Sequence, residues 1–150
     1  MIERINSERA LRGLPALRPN EQLAAAAQGH AEDLATYPEL IAQGQYHTGS
    51  DGSTIEGRIK ATGYEPLQYS ELTGWGFEGN PEAMVNWWIN SQAHALYLFA
   101  DNVNEIGIGY TYLPGSTWEH YWTVNFGRRD GPPDEADFVT YVPVVVGGGG

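Results

Sequence analysis

Residues 103–126 read VNEIGIGYTYLPGSTWEHYWTVNF. The two flanking runs, 103–113 and 118–126, are rich in β-branched and aromatic side chains, which suit a pleated, half-buried surface. Between them Pro114-Gly115-Ser116-Thr117 supplies the turn chemistry of a hairpin loop. The chain upstream of this hairpin is mostly helical in pattern. Helices first and a hairpin last predict an α+β domain with an antiparallel sheet.

Working back towards the start, residues 2–12 place Ile2, Ile5 and Leu11 at helical spacing, closed by Gly13 and Pro15. Asn20 stands where an N-cap belongs, and EQLAAAAQGHAEDLA after it is a strong helix former. Leu23, Ala26, Ala27, His30, Ala31 and Leu34 share one face of that helix, which the small residues fit for close packing. Residues 37–53, with Pro38, Gly44, Gly49 and Gly52, read as a loop that carries His47. Ser53 followed three residues later by Glu56 has capping-box spacing, and a short helix should run to Thr62 before Gly63. Residues 68–72 form a short strand with Glu71. Asn80-Pro81 opens a helix bearing Trp87 and Trp88, which are expected in the core, and that helix can continue into SQAHALYLF. Beyond the hairpin, Asp130-Gly131-Pro132-Pro133 reads as a spacer, FVTYVPVVV has strand composition and four glycines form a linker-like end.

Composition narrows the function. The 150 residues suffice for one domain with a real core. Eight basic against 19 acidic residues give a formal charge of −11, and nucleic-acid binding needs clustered Lys and Arg, so a nucleic-acid partner is excluded. The same charge attracts cations. No apolar run is long enough to span a bilayer. With no cysteine, disulfides, thiolate metal sites and cysteine nucleophiles are all absent. No Gly-x-Ser-x-Gly element is present either.

The four histidines differ in setting. His30 lies on the core face of its helix, where a hydrogen-bonded packing role is the default. His120 sits in a strand, where a solvent-facing position is the default. His47 occupies a glycine-rich loop, the kind of segment in which functional side chains concentrate. His94 shares a helical face with Trp87, Ser91 and Leu98. No short metal motif links His47 to His94.

A longer pattern does link them. In order, the chain carries Asn6-x-x-Arg9, Gly13-Leu14-Pro15-x-Leu17, Leu23-Ala24-x-x-Ala27, His47-x-Gly49-Ser50-Asp51-Gly52 and Arg58-Ile59-x-x-x-Gly63-Tyr64. Glu71 follows with Gly76 five later, then Trp88-x-x-Ser91-x-x-His94, Glu105-Ile106-Gly107-Ile108-Gly109 and Tyr121-Trp122-x-x-x-Phe126-Gly127. This order and spacing resemble the bacterial, cysteine-free branch of the CAP superfamily (cysteine-rich secretory proteins, antigen five and pathogenesis-related proteins). The resemblance covers residues 2–127 and implies a CAP domain over 1–127, with 128–150 an extension. It implies a three-layer α-β-α sandwich with a central antiparallel sheet, secreted or displayed at the cell surface, with a signal peptide or upstream region preceding this chain.

Members of that family carry two histidines and two glutamates in a cleft, and several hold a divalent metal there. Residue by residue, His47 and His94 resemble the two histidines and Glu71 one glutamate. The family's Asn after that glutamate is Leu72 here, which removes one polar partner. The position of the second glutamate falls at Asn90 or Ser91, so that carboxylate is missing or comes from elsewhere, with Glu56 a candidate. A proline often found between Ser91 and His94 is Gln92. Two imidazoles and one carboxylate predict a weak, exchangeable divalent cation, zinc by donor type. Glu71 is a candidate catalytic base or a group that orients a histidine. Trp75, Ser91 and Glu56 are the candidate edges of a groove for an extracellular lipid, carbohydrate or peptide. The expectation is a non-catalytic binding domain, acting as a monomer; the alternative is a metal-dependent hydrolase of peptides or cell-wall material.

Overall fold

The computed structural model describes residues 1–129. The spacer, strand-like run and glycine end expected over 130–150 lie outside the described residues. Six helices and four strands follow one another as α1 (Ile2–Leu11), β1 (Arg18–Pro19), α2 (Glu21–Thr36), α3 (Glu39–Ala42), α4 (Ile55–Ala61), β2 (Gln68–Trp75), α5 (Pro81–Asn90), α6 (Gln92–Leu98), β3 (Glu105–Tyr112) and β4 (His120–Arg128). A 3₁₀ turn, Phe77–Gly79, joins β2 to α5.

The sheet order is β1-β3-β4-β2. The hairpin β3–β4 pairs antiparallel in the register Tyr112↔His120 to Glu105↔Gly127, and β2 lies antiparallel on the other side of β4. The expected antiparallel sheet is present and carries one parallel edge. β1 pairs parallel to β3, so the sheet is mixed. Arg18 N donates to Asn104 O and Asn20 N to Ile106 O, while Pro19, between them, has no proton to give. A two-residue edge of this kind leaves no periodicity in the sequence.

Alternation along β4 separates two cores. Trp122, Val124 and Phe126 face a cluster with Ile5 of α1, Met84, Val85 and Trp88 of α5, and Leu98 of α6. Tyr121 turns the other way, against Leu34 and Ala35 of α2. The result is a layer of helices on each side of the sheet. The close seat of α2 depends on glycine. A Cβ at Gly107 would overlap Ala24 N and Leu23 C, and one at Gly109 would overlap Gln28 N and Ala27 C. The alanine-rich face of α2 and the glycines of β3 therefore fit as a pair. Asn20 caps α2, its side chain accepting from Leu23 N at 2.9 Å.

Buried Arg9 ties α1 to the end of α6 in the same layer. Its guanidinium donates to Pro15 O, Leu98 O and Ala100 O at 2.8–2.9 Å. Burial lowers its pKa to about 10, so it remains a cation at neutral pH.

Four local expectations change. The 37–53 loop contains the short helix α3. Thr54, not Ser53, caps α4, accepting from Gly57 N at 3.0 Å. Helix α5 stops at Ser91, whose extended backbone (φ −101°, ψ 113°) starts α6 afresh. Trp88 is fully buried but Trp87 is 44% exposed: successive helical residues point about 100° apart, so only one indole can face the sheet.

Candidate functional site

Glu71 is the centre of a buried polar network. It sits mid-way along β2, opposite Asn125 of β4, with its side chain sealed from solvent. On a strand, neighbours face opposite sides. Leu72 accordingly enters the α5-side core, and the polar partner expected at that position could not have reached this carboxylate. Other elements supply its partners. Arg58 Nη2, from α4, donates to both carboxylate oxygens at 2.9 and 3.1 Å. His47 Nδ1 lies 2.9 Å from Oε1. With its amide oriented to satisfy both ends, Asn125 donates to Oε2 at 2.9 Å and accepts from Ala27 N. His30 Nε2 is 3.6 Å from Oε1 and 2.6 Å from Tyr46 O.

This network fixes the His47 loop. The same Arg58 Nη2 also donates to His47 O, and Nη1 to Ser53 O. With Nδ1–H directed at Glu71, the His47 ring keeps Nε2 for other partners, and its side chain is 41% exposed. His94 is held differently. Its Nδ1 is 2.6 Å from Ser91 Oγ, and its ring packs 4.6 Å from that of Trp87. In the tautomer that leaves Nε2 bare, Nδ1–H donates to Ser91. Burial, followed by the nearby charge of His47, holds the His94 pKa below the ordinary imidazole value. His30 is likewise held down, chiefly by burial.

A cavity of about 360 Å³ opens beside His94. Tyr46, Trp75, Phe77 and Trp87 give it aromatic walls, Met84 lies against it, and His94 is at its edge. Tyr46 packs on both His47 (4.9 Å between ring centres) and Trp75 (5.6 Å), so loop, strand and cavity are continuous. Gly74 permits the arrangement, because a Cβ there would strike the Met84 sulfur. The turn that presents Phe77 holds Phe77 and Glu78 at positive φ (52° and 51°), a conformation that non-glycine residues rarely adopt.

Each residue expected at the site can now be placed. His47 and Glu71 bond directly; His94 and Trp75 line or edge the same neighbourhood. Ser91 does not line the cavity and instead holds the His94 ring. Glu56 is turned away, paired with Lys60 at 2.9 Å on the exposed side of α4, and it supplies no second carboxylate to the cavity wall. Glu71, a candidate base, has its oxygens committed to Arg58, His47 and Asn125. His30 is buried and hydrogen-bonded. His120 is half-buried, stacked on Tyr112 and bonded to Tyr110 Oη at 2.7 Å, rather than freely facing solvent.

Sequence reasoning missed Arg58 and Asn125 as partners of Glu71, and Tyr46, Phe77 and Trp87 as cavity walls. Two signals were available. A buried carboxylate needs a cation, and the chain has only eight basic residues. Asn125 is a polar residue between Val124 and Phe126 on a strand where an inward polar side chain needs a buried partner.

The sequence profile described as CAP, the Cysteine-rich secretory protein family, matches residues 2–126. The chain belongs to this family. A comparison with curated protein sequences finds no match. Solved structures of the CAP fold are similar. An extracellular SCP-domain protein of Bacillus anthracis superposes with a TM-score of 0.66 at 22% identity, covering 83% of this chain and 38% of that one. An outer surface protein of Borrelia burgdorferi gives 0.64 at 23% identity, covering 86% and 90%. A cysteine-rich secretory protein of Staphylococcus aureus gives 0.62 at 20% identity, covering 85% and 36%. This CAP domain thus spans little more than a third of the Bacillus and Staphylococcus chains. No helix among the described residues is long and apolar enough to cross a membrane.

A metal of the kind associated with this family would find two imidazole donors here, His47 Nε2 and His94 Nε2. Among the described residues no group of three or more His, Cys, Asp or Glu side chains is placed to hold an ion. Two imidazoles fall short of the four protein ligands of a closed structural site.

Proposed function

We propose that this CAP domain works outside the cell or at its surface as a binding module, with His47 and His94 taking a divalent cation weakly and the aromatic cavity beside them taking an extracellular ligand. The observation that carries the reading is the bond from His47 Nδ1 to Glu71. A carboxylate on Nδ1 fixes the ring and makes Nε2 a better donor, the arrangement that supports histidine ligands elsewhere. A bound cation would polarise whatever oxygen or nitrogen of the ligand reached it. In this reading Glu71 is a positioning residue. It is sealed from solvent and held by Arg58, so it has no free oxygen aimed at a water, which weighs against the hydrolase alternative.

Extracellular placement rests on the family and on the neighbours described as extracellular or outer-surface proteins. The test of the cation site is calorimetric titration of zinc into the wild type and into His47→Ala/His94→Ala. Heat in the wild type that vanishes in the variant supports the site, and affinity should fall as pH drops below about 6, because protonated imidazole cannot ligate. Equal heats from both proteins would remove it.

A further inference from the structure

The cavity beside His94 has a chemistry that selects its ligand. Four of its wall residues, Tyr46, Trp75, Phe77 and Trp87, are aromatic. Two ring pairs, Tyr46–Trp75 at 5.6 Å and Phe77–Trp87 at 6.1 Å, are tilted by 50° and 51° rather than stacked flat. Aromatic faces carry partial negative charge, so any part of a face turned to the cavity attracts a cation. No Lys, Arg, Asp or Glu among the described residues lines the cavity.

These features exclude and select. A ligand anchored by a carboxylate or phosphate would meet no Lys or Arg among the described residues of the wall, and would face the repulsion of a chain whose formal charge is −11. Against the aromatic walls a small ammonium would lose strongly held water and gain no carboxylate in return. A methylated ammonium group keeps a full positive charge, carries little tightly bound water and presents an apolar surface to the rings. It gains from cation–π attraction and from the negative field of the whole domain. The volume of about 360 Å³ lies in the range of small-ligand sites.

We infer that the aromatic cavity binds a quaternary ammonium group, either as a free methylated amine or as a lipid headgroup. This rests on the reading of the cavity as a ligand site and names the ligand class. Two probes test it: choline and its neutral isostere 3,3-dimethyl-1-butanol, each titrated into the protein while the tryptophan indole resonances are followed by NMR. Choline should bind at least about tenfold more tightly than the alcohol. Trp87→Leu, at a half-exposed position that tolerates change, keeps an apolar wall but removes a ring. It should weaken choline about tenfold and leave the alcohol nearly unchanged, and Phe77→Leu should act in the same direction. The alcohol binding as tightly as choline, or both weakening equally in Trp87→Leu, would overturn the cation inference and leave an apolar ligand site standing. Neither probe binding would overturn both readings. A final arm uses phosphatidylcholine vesicles. Vesicle binding competed by choline supports the inference with a lipid source, and choline binding without vesicle binding supports it with a free amine.

Discussion

Replacing Arg58 by Met should cost this domain more stability than any surface change. Arg58 is 11% exposed at its side chain, and the carboxylate it holds is 0% exposed. The substitution keeps most of the aliphatic stem but removes both contacts to Glu71, together with those to His47 O and Ser53 O. A buried charge stripped of its partner typically costs about 3–5 kcal/mol. At about 2–4 °C per kcal/mol for a chain of this size, the melting temperature should fall by roughly 10 °C. Deleting the orphan charge as well, in Arg58→Met/Glu71→Leu, should restore only part of the loss, since the unpaired charge goes but His47 Nδ1 and the buried Asn125 amide lose their acceptor. Urea denaturation of the wild type, both single variants and the double variant gives the coupling energy directly. Hydrogen exchange over residues 45–53 should rise in Arg58→Met, because that loop loses two carbonyl anchors. A loss under about 1 kcal/mol, or a double variant no more stable than Arg58→Met, would refute the reasoning.

Further outcomes follow from the same packing. His30 is buried with its pKa held down, so below about pH 6.5 the unfolded chain binds a proton that the folded one resists. Stability should therefore fall with pH there, by up to about 1.4 kcal/mol per unit for this group, and the slope should be flatter in His30→Gln when urea midpoints at pH 7.5 and 5.5 are compared; parallel slopes would contradict it. Gly107→Ala should lose about 1–3 kcal/mol or more, because the new methyl meets the backbone of α2. Gly29→Ala, in a helix with open space around it, should gain up to about 1 kcal/mol, and urea denaturation reads both glycine variants.

What was legible in the sequence was local. The Asn20 cap, the Asn80-Pro81 helix start and the β3–β4 hairpin each depend on residues within a few positions of one another, and the structure has all three. The β1 edge was not legible, because two residues make no period. Trp87 and Trp88 could not be ranked from composition, since the choice of which indole turns inward belongs to the packing of α5. The capping spacing Ser53-to-Glu56 was matched by a second acceptor one residue on, and Thr54 took the cap. At the candidate site, order and spacing identified His47, Glu71 and His94 as kin to a family's cleft. They did not reveal the partners of Glu71. Arg58 and Asn125 come to it from α4 and from across the sheet, and the pairing is set by the β2–β4 register, Glu71↔Asn125. The aromatic walls other than Trp75 escaped for the same reason: Tyr46, Phe77 and Trp87 stand on three separate segments, each with an ordinary packing explanation.

The claim on which the functional account stands is that two separate segments place bare imidazole nitrogens where one cation can touch both. Crystals grown with zinc and measured at the zinc absorption edge test it most directly. The account predicts an anomalous peak about 2.0–2.1 Å from Nε2 of both His47 and His94, with Glu71 still on Nδ1 of the former. A peak held by other side chains, or by one of these rings alone, would contradict it.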